Sequence, residues 1–322
     1  MINNVSLEKA GHLLQNAESV LIFPHINPDG DALGSSAALC RVLRNNGINA
    51  WVLLEEDVPE YLKFMDTEFC TQDQSCIDEP DICVCVDCSE EKRFPGRVDI
   101  FNSGRLKLCI DHHVTSGSFG DYYYIDGDEA ATAQIIYKLL LAMGAEIDSC
   151  VGSSLYVGIS TDTGNFQYSN TTSDTHIIAA ELLKKGIDHM GIMVALYQNR
   201  SLARVRLESM IVDRMEIFSE GRAAVSYVDS AMLEKVGAML EDAETAIDTL
   251  RDIEGIEIAA FIKEKDDAVK VSMRAKYWGR VDEIAVRFGG GGHAKAAGCT
   301  MHMAVDEAIA LIKKEITNYL EK

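Results

Sequence analysis

The sequence predicts an α/β protein: a doubly wound, mostly parallel sheet in an N-terminal domain (1–188), a helical connector (189–220), and a smaller α+β domain with a mixed sheet (221–322). Three observations predict it. Four apolar runs, SVLIF (19–23), AWVLL (50–54), DICVCVD (81–87) and RLKLCIDHH (105–113), alternate with segments able to form helices or turns. That is the pattern of parallel strands covered on both faces. The stretch ALYQNRSLARVRLESMIVDRMEIF (195–218) then turns amphipathic and charged, and beyond it the pattern changes to RAAVSYVD, IEIAAFIKE and AVKVSMRA, three strand-like runs with helices between and after them.

The elements follow in order. SVLIF does not alternate polar with apolar residues, so it reads as a strand buried on both faces. Asn27-Pro28-Asp29-Gly30 is turn chemistry, and DALGSSAALCRVLRNNG (31–47) reads as a helix that stops at Gly47. ATAQIIYKLLLAMG (131–144) is helical and ends in glycine. LYVGIS, within 149–166, fits a strand or a buried helix equally. TSDTHIIAAELLKKG (172–186) opens with capping residues and closes with lysines before Gly186. The tract FGGGGHAKAAG (288–298) precedes a terminal helix from Val305.

Composition narrows the function classes. The chain has 322 residues, 47% of them apolar, and a formal charge of −21. Its apolar runs are strand-length, which excludes a membrane-spanning helix. The first residues lack a basic segment followed by an apolar core, so a cytoplasmic protein is expected. Nine cysteines, scattered and odd in number, suit reduced thiols; Cys83 and Cys85 read as small hydrophobes on a strand rather than half of a zinc site. The negative field would repel long nucleic acid, duplex included. An anionic substrate must therefore be small and held locally. NAESVLIF and the connector helices are candidate homodimer contacts, and nothing in the sequence requires a dimer.

Acidic and imidazole residues mark the ends of the apolar elements: His25, Asp29 and Asp31 after the first, Asp87 after the third, Asp111, His112 and His113 after the fourth, and Asp162 in GISTDTGNF. Singly, each is an ordinary cap or turn residue. Jointly they are not, because the carboxyl ends of parallel strands converge on one rim, where so many carboxylates repel unless cations neutralise them. Histidine and aspartate donors without thiolate suit Mn2+, with Mg2+ or iron accepted more loosely. An Asp-rich rim of this kind is the ligand set of a two-ion phosphoester hydrolase. Gly289 to Gly292 would let the backbone approach an anion, with His293 as a further donor; Arg274 suits a bidentate phosphate contact.

HINPDGDALGS, the Asp of VCVDCS, DHH and TDTGNF resemble, in order and spacing, the four motifs of the DHH phosphoesterases, and GGGGHAKAAG resembles the glycine-rich signature of their DHH-associated C-terminal domain. The resemblance covers nearly the whole chain. Its two-domain layout is most similar to the nanoRNase (NrnA-type oligoribonuclease) branch. The resemblance implies that His25, Asp29 and Asp87 hold one divalent ion. Asp31, Asp87, His112 and Asp162 would hold a second, with Asp87 bridging. Asp111 would orient a histidine, His113 would face the scissile phosphate, and Asn27 would position a phosphoryl oxygen. Arg274, Gly290, Gly291, Gly292 and His293 would bind substrate. The substrates implied are short RNA oligonucleotides or 3′-phosphoadenosine 5′-phosphate; cyclic or linear dinucleotides, pyrophosphate, and a non-enzymatic nucleotide-sensing role remain the alternatives.

Overall fold

The computed structural model describes residues 4–88, 90–113, 119–265 and 267–321. The chain divides into two units, Met1–Asn199 and Arg200–Lys322. In the first, helix α1 (Leu7–Gln15) leads into β1 (Ser19–Phe23), α2 (Gly30–Asn45), β2 (Asn49–Leu53), β3 (Cys70–Thr71) and β4 (Ile82–Val86). There follow α3 (Val98–Ser103), β5 (Leu106–Asp111), β6 (Tyr122–Ile125), α4 (Thr132–Ala142), α5 (Ser149–Asp162), α6 (Ser173–Lys184) and α7 (His189–Met193), the last continued by a π-helical turn, Val194–Gln198.

Among the described residues the first sheet has the order β3-β2-β1-β4-β5-β6, every pair parallel. This is the expected doubly wound sheet. Its order reverses between β1 and β4, the place where open α/β sheets leave a crevice beyond the strand ends. All five residues of β4 are buried, because a central strand covered on both faces has no polar side to offer.

The run LYVGIS resolves as helix. It lies inside α5, so Asp162 ends a helix rather than a strand. Two short strands, β3 and β6, extend the edges where the sequence shows no clear apolar run. The segment expected as a helical connector consists of α7, the π turn and α8 (Leu202–Asp213), and its last residues include a strand, β7 (Glu216–Phe218).

The second unit continues through β8 (Ala223–Val228), α9 (Ser230–Val236), α10 (Ala246–Asp252), β9 (Ile258–Lys265), β10 (Ala268–Ala275), α11 (Val281–Val286), β11 (Gly291–His293), β12 (Ala296–Met301) and α12 (Val305–Leu320). Its sheet is mixed, in the order β11-β12-β10-β9-β8-β7, with only β8 and β9 parallel among the described strands. Along β10 the buried residues Val269, Val271, Met273 and Ala275 join one core with residues of α11 and α12. Ala224, Ala259 and Phe261, on the other face, meet residues of α8, α9 and α10.

One packing contact sets the geometry that matters most. α2 and α5 cross so closely that a Cβ on Gly34 would lie 2.4 Å from the Ser154 carbonyl oxygen, and one on Gly158 would lie 2.8 Å from Asp31 Oδ1. Glycine at these two positions lets the helices approach until Asp31 and Asp162 face each other. Gly34→Val should force the helices apart and destabilise the protein by about 1–3 kcal/mol, the usual cost of overpacking. Denaturant unfolding checks it; an unchanged midpoint would show that the crossing tolerates the added side chain.

Candidate metal centre

The crevice beyond β1 and β4 gathers the acidic and imidazole residues of the first unit. His25 sits two residues past β1, nearly buried. Its Nδ1 lies 2.7 Å from the Ile26 carbonyl oxygen, which can only accept, so Nδ1 carries a proton and Nε2 is the ring nitrogen left to face the crevice. That Nε2 lies 3.7 Å from Asp29 Oδ2 and 3.7 Å from Asp87 Oδ2. It is buried and has no hydrogen-bond partner among the described residues. An imidazole nitrogen set between two carboxylate oxygens fits a cation, which would satisfy all three atoms at once.

Asp29 is the N-cap of α2. Its Oδ1 accepts from the amides of Asp31 and Ala32, both at 3.0 Å, which leaves Oδ2 for His25. Desolvation raises its carboxyl, but the adjacent His25 and the two amides outweigh it and hold it at about 2. Asn27, in the same loop, is exposed and has a left-handed backbone (φ 50°).

Asp31 is fully buried in the first turn of α2. It caps a different helix: the α4 amides of Thr132 and Ala133 donate to its two oxygens at 2.6 and 2.8 Å, and Ser35 Oγ adds a bond of 3.1 Å. Free amides and the positive end of α4 favour a carboxylate here. Even so, burial, then the charges of Asp87 and Asp162, push Asp31 well up.

Asp87 follows β4 directly with φ 54°, a left-handed conformation uncommon for a residue with a Cβ. Thr132 Oγ1 donates to its Oδ1 at 2.7 Å. Oδ2 faces His25, whereas Oδ1 lies 3.7 Å from His112 Nε2 and 3.6 Å from His113 Nδ1. Burial, Asp29 and Asp111 raise this carboxyl too. His112 directs Nδ1 at the Glu129 carbonyl oxygen (3.2 Å) and Nε2 at Asp162 Oδ2 (3.3 Å). Asp111 Oδ1 accepts from the His113 amide at 3.0 Å and lies 2.7 Å from its Nδ1. Against desolvation, that bond and the charges of Asp87, Asp111 and Asp162 lift His113 to about 9.

Three overlapping groups could therefore hold a metal ion: His25, Asp29 and Asp87; Asp31, His112 and Asp162; and Asp87, His112 and His113. Sequence reasoning missed their supports, Thr132, Ser35 and Arg97. Arg97 is buried. It donates to Pro24 O (2.8 Å), Leu53 O and Glu55 Oε1 (3.2 Å), pinning the ends of β1 and β2.

The substrate-binding candidates lie in the second unit. Arg274 of β10 stands opposite Ala296 of β12, which stands opposite His293 of β11, so Arg274, Ala296 and His293 form one row on one face. Ser272, Gly298 and Gly291 form the next. Arg274 Nε lies 3.8 Å from Asp248 Oδ1. The glycines divide. A Cβ on Gly290 would fall 2.1 Å from Gly298 O, and one on Gly292 (φ 140°) 2.5 Å from Ala296 O, so β12 itself requires glycine at both. The Gly290 amide donates to Ala285 O. A side chain on Gly291 would meet open space. Lys295 Nζ donates to the carbonyls of Tyr277 and Gly279, bracing the loop after β10.

Asp31 and Asp162 are both raised, Asp162 by burial and then by Asp87 and Asp29. A raised carboxyl favours the fold below its ordinary value and ceases to as pH climbs through the raised one. A divalent cation should therefore raise the thermal midpoint at pH 7, and do so less as the pH falls, because protons compete with it for these raised carboxyls. Asp162→Asn should raise the midpoint of the metal-free protein and shrink the cation's increment. A midpoint indifferent to Mn2+ at every pH would remove this cluster as a cation site.

Residues 19–159 match the DHH family, N-terminal domain, and residues 220–322 match the DHHA1 domain. The bifunctional oligoribonuclease and PAP phosphatase NrnA of Thermus thermophilus is 31% identical over 305 residues, covering 92% of this chain and 90% of that protein. The Bacillus subtilis protein of the same name is 28% identical, covering 90% and 91%. The crystal structure of an exopolyphosphatase-related protein from Bacteroides fragilis matches with a TM-score of 0.92 at 25% identity, covering 97% of this chain and 96% of that one.

Proposed function

Since the chain belongs to the DHH family, we propose that it hydrolyses very short oligoribonucleotides to mononucleotides, and 3′-phosphoadenosine 5′-phosphate to AMP, at a centre for two divalent ions. Both activities are named for the Thermus and Bacillus relatives. The observation that carries the two-ion reading is Asp87, whose Oδ2 faces His25 while its Oδ1 faces His112 and His113. One ion would take His25, Asp29 and Asp87, the other Asp31, Asp87, His112 and Asp162. Imidazole and carboxylate donors without thiolate suit Mn2+ better than Mg2+. Such ions supply a water nucleophile at neutral pH and offset charge on the phosphoryl oxygens.

The chain's own groups do the rest. The Ile26 and Glu129 carbonyls fix the tautomers of His25 and His112, as the outer partners of metal-binding imidazoles do. Asp111 orients His113, and it and the neighbouring carboxylates raise the imidazole, which suits it to donate to a phosphoryl or leaving-group oxygen. Asn27 would position another phosphoryl oxygen from its exposed turn. On the second sheet Arg274 and His293 would take a further phosphate above Gly291, with Gly290 and Gly292 shaping the strand beneath. The net charge of −21 favours small substrates over long RNA.

Turnover with Mn2+ of RNAs of two to five nucleotides, an RNA of about 24 nucleotides, 3′-phosphoadenosine 5′-phosphate, cyclic di-AMP and pyrophosphate tests the reading. Rapid loss of the shortest RNAs with the long one spared is expected; preference for the cyclic dinucleotide or pyrophosphate would overturn the substrate assignment. Asp87→Ala should abolish turnover. His113→Ala should lower kcat about 10²–10⁴-fold, the usual worth of a positioned acid, while leaving cation-induced stabilisation in place; loss of both together would make His113 a ligand instead.

A further inference from the structure

Every group placed at the centre so far handles phosphate. A nucleotide also carries a flat, largely apolar base, and three aromatic side chains beside the centre stay partly outside the core: Tyr61 (50% exposed), Tyr168 (39%) and Tyr197 (37%). Each is tied to the cluster or to a close neighbour of it along the chain. Tyr61 lies on a short 3₁₀ turn, Glu60–Leu62, which packs against the π-helical turn Val194–Gln198 that carries Tyr197. Burial, the charge of Asp29 and the nearby Tyr197 push the Tyr61 hydroxyl up. Tyr61 is half-exposed, with its hydroxyl within electrostatic reach of Asp29.

The other two pack against the last turn of α5, which Asp162 ends. Tyr197 Oη lies 2.8 Å from Ser160 Oγ and donates to Ser160 O at 3.1 Å, two residues before Asp162. The Tyr168 ring rests on Gly164, two residues after it, where an added Cβ would come within 2.4 Å of the ring. Gly164, Asn165 and Phe166 are all left-handed (φ 56°, 57° and 65°), and this turn brings Tyr168 back over the end of α5. Two of the three residues in it carry a Cβ, and such backbone is costly. The π turn under Tyr197 is likewise a rare form, found mostly as an insertion at functional sites.

We propose that Tyr61, Tyr168 and Tyr197 form an aromatic wall that stacks the base of the nucleotide whose phosphate sits on the carboxylate–imidazole cluster. The inference rests on the function proposed above and adds to it the group that distinguishes a nucleotide from a bare phosphate. Stacking on tyrosine accepts any base, because every base has a flat π face. Pyrophosphate, with no flat face, gains nothing from the wall.

The test compares binding of AMP and ribose 5-phosphate, with Mn2+ present, to the full chain by calorimetry. The wild type should bind AMP the more tightly. Tyr61→Ala should weaken AMP about tenfold, within the range for losing one stacked base, and leave ribose 5-phosphate unchanged, whereas Tyr61→Phe should retain AMP binding. Equal weakening of both ligands, or of neither, overturns the wall. Tyr168→Ala serves the same comparison if Tyr61→Ala does not fold. Turnover of a diadenylate separates the two ideas. If AMP binds through its base but short RNA is not hydrolysed, the proposed function falls and the wall stands. If short RNA is hydrolysed while AMP and ribose 5-phosphate bind alike, the wall alone falls.

Discussion

The mutual repulsion of five aspartates, Asp29, Asp31, Asp87, Asp111 and Asp162, is the constraint around which the first unit is organised. Like charges this close in a partly buried crevice disfavour one another's ionisation. The fold answers most of them with a fixed donor: the α2 amides for Asp29, the α4 amides for Asp31, the Thr132 hydroxyl for Asp87 and His113 for Asp111. These donors do not cancel the repulsion. Asp31, Asp87 and Asp162 stay raised, and Asp29, which has His25 and two amides, is held low. The carboxylates are held in place by hydrogen bonds but not neutralised, which suits the cation binding proposed for them.

The scaffold follows from that requirement. A strand order that reverses between β1 and β4 leaves two loops with room to diverge; one carries His25 to Asp31 and the other begins at Asp87. Arg97 ties the ends of β1 and β2 together. The glycine-mediated crossing of α2 and α5 brings a helix end, with Asp162, to a place that no strand of the sheet occupies.

The central strands were legible because burial on both faces leaves an uninterrupted apolar run, as in SVLIF and ICVCV. The short edge strands β3 and β6 were not, since a two-residue strand has no period and YYYI mixes ring with hydroxyl. α5 was ambiguous for a related reason. A helix buried nearly all round shows no polar stripe, so its 3.6-residue period is lost among glycines, serines and aliphatics. The glycine tract was read through ligands, whereas Gly290 and Gly292 answer first to the carbonyls of β12. A sequence shows that a glycine is present but not which neighbour excludes a side chain.

The candidate site was legible at its acidic and imidazole residues and hidden at their supports, and the reason is chemical. A carboxylate at the end of an apolar run breaks a pattern and can be noticed. The amides of Thr132 and Ala133 belong to the backbone, carry no residue-type signal, and reach Asp31 from about a hundred residues away. The ordinary and the functional readings of an aspartate also turn out not to be rivals. Asp29 caps α2 with Oδ1 and turns Oδ2 to His25. Asp31 caps α4 while standing within reach of His112 and Asp162. A carboxylate has about four lone-pair sites, so a helix N-terminus that uses one or two fixes the direction of the remainder. Capping is thus what gives these oxygens a rigid aim, and an aspartate that looked like a helix cap was, for that reason, already a well-placed donor to the crevice.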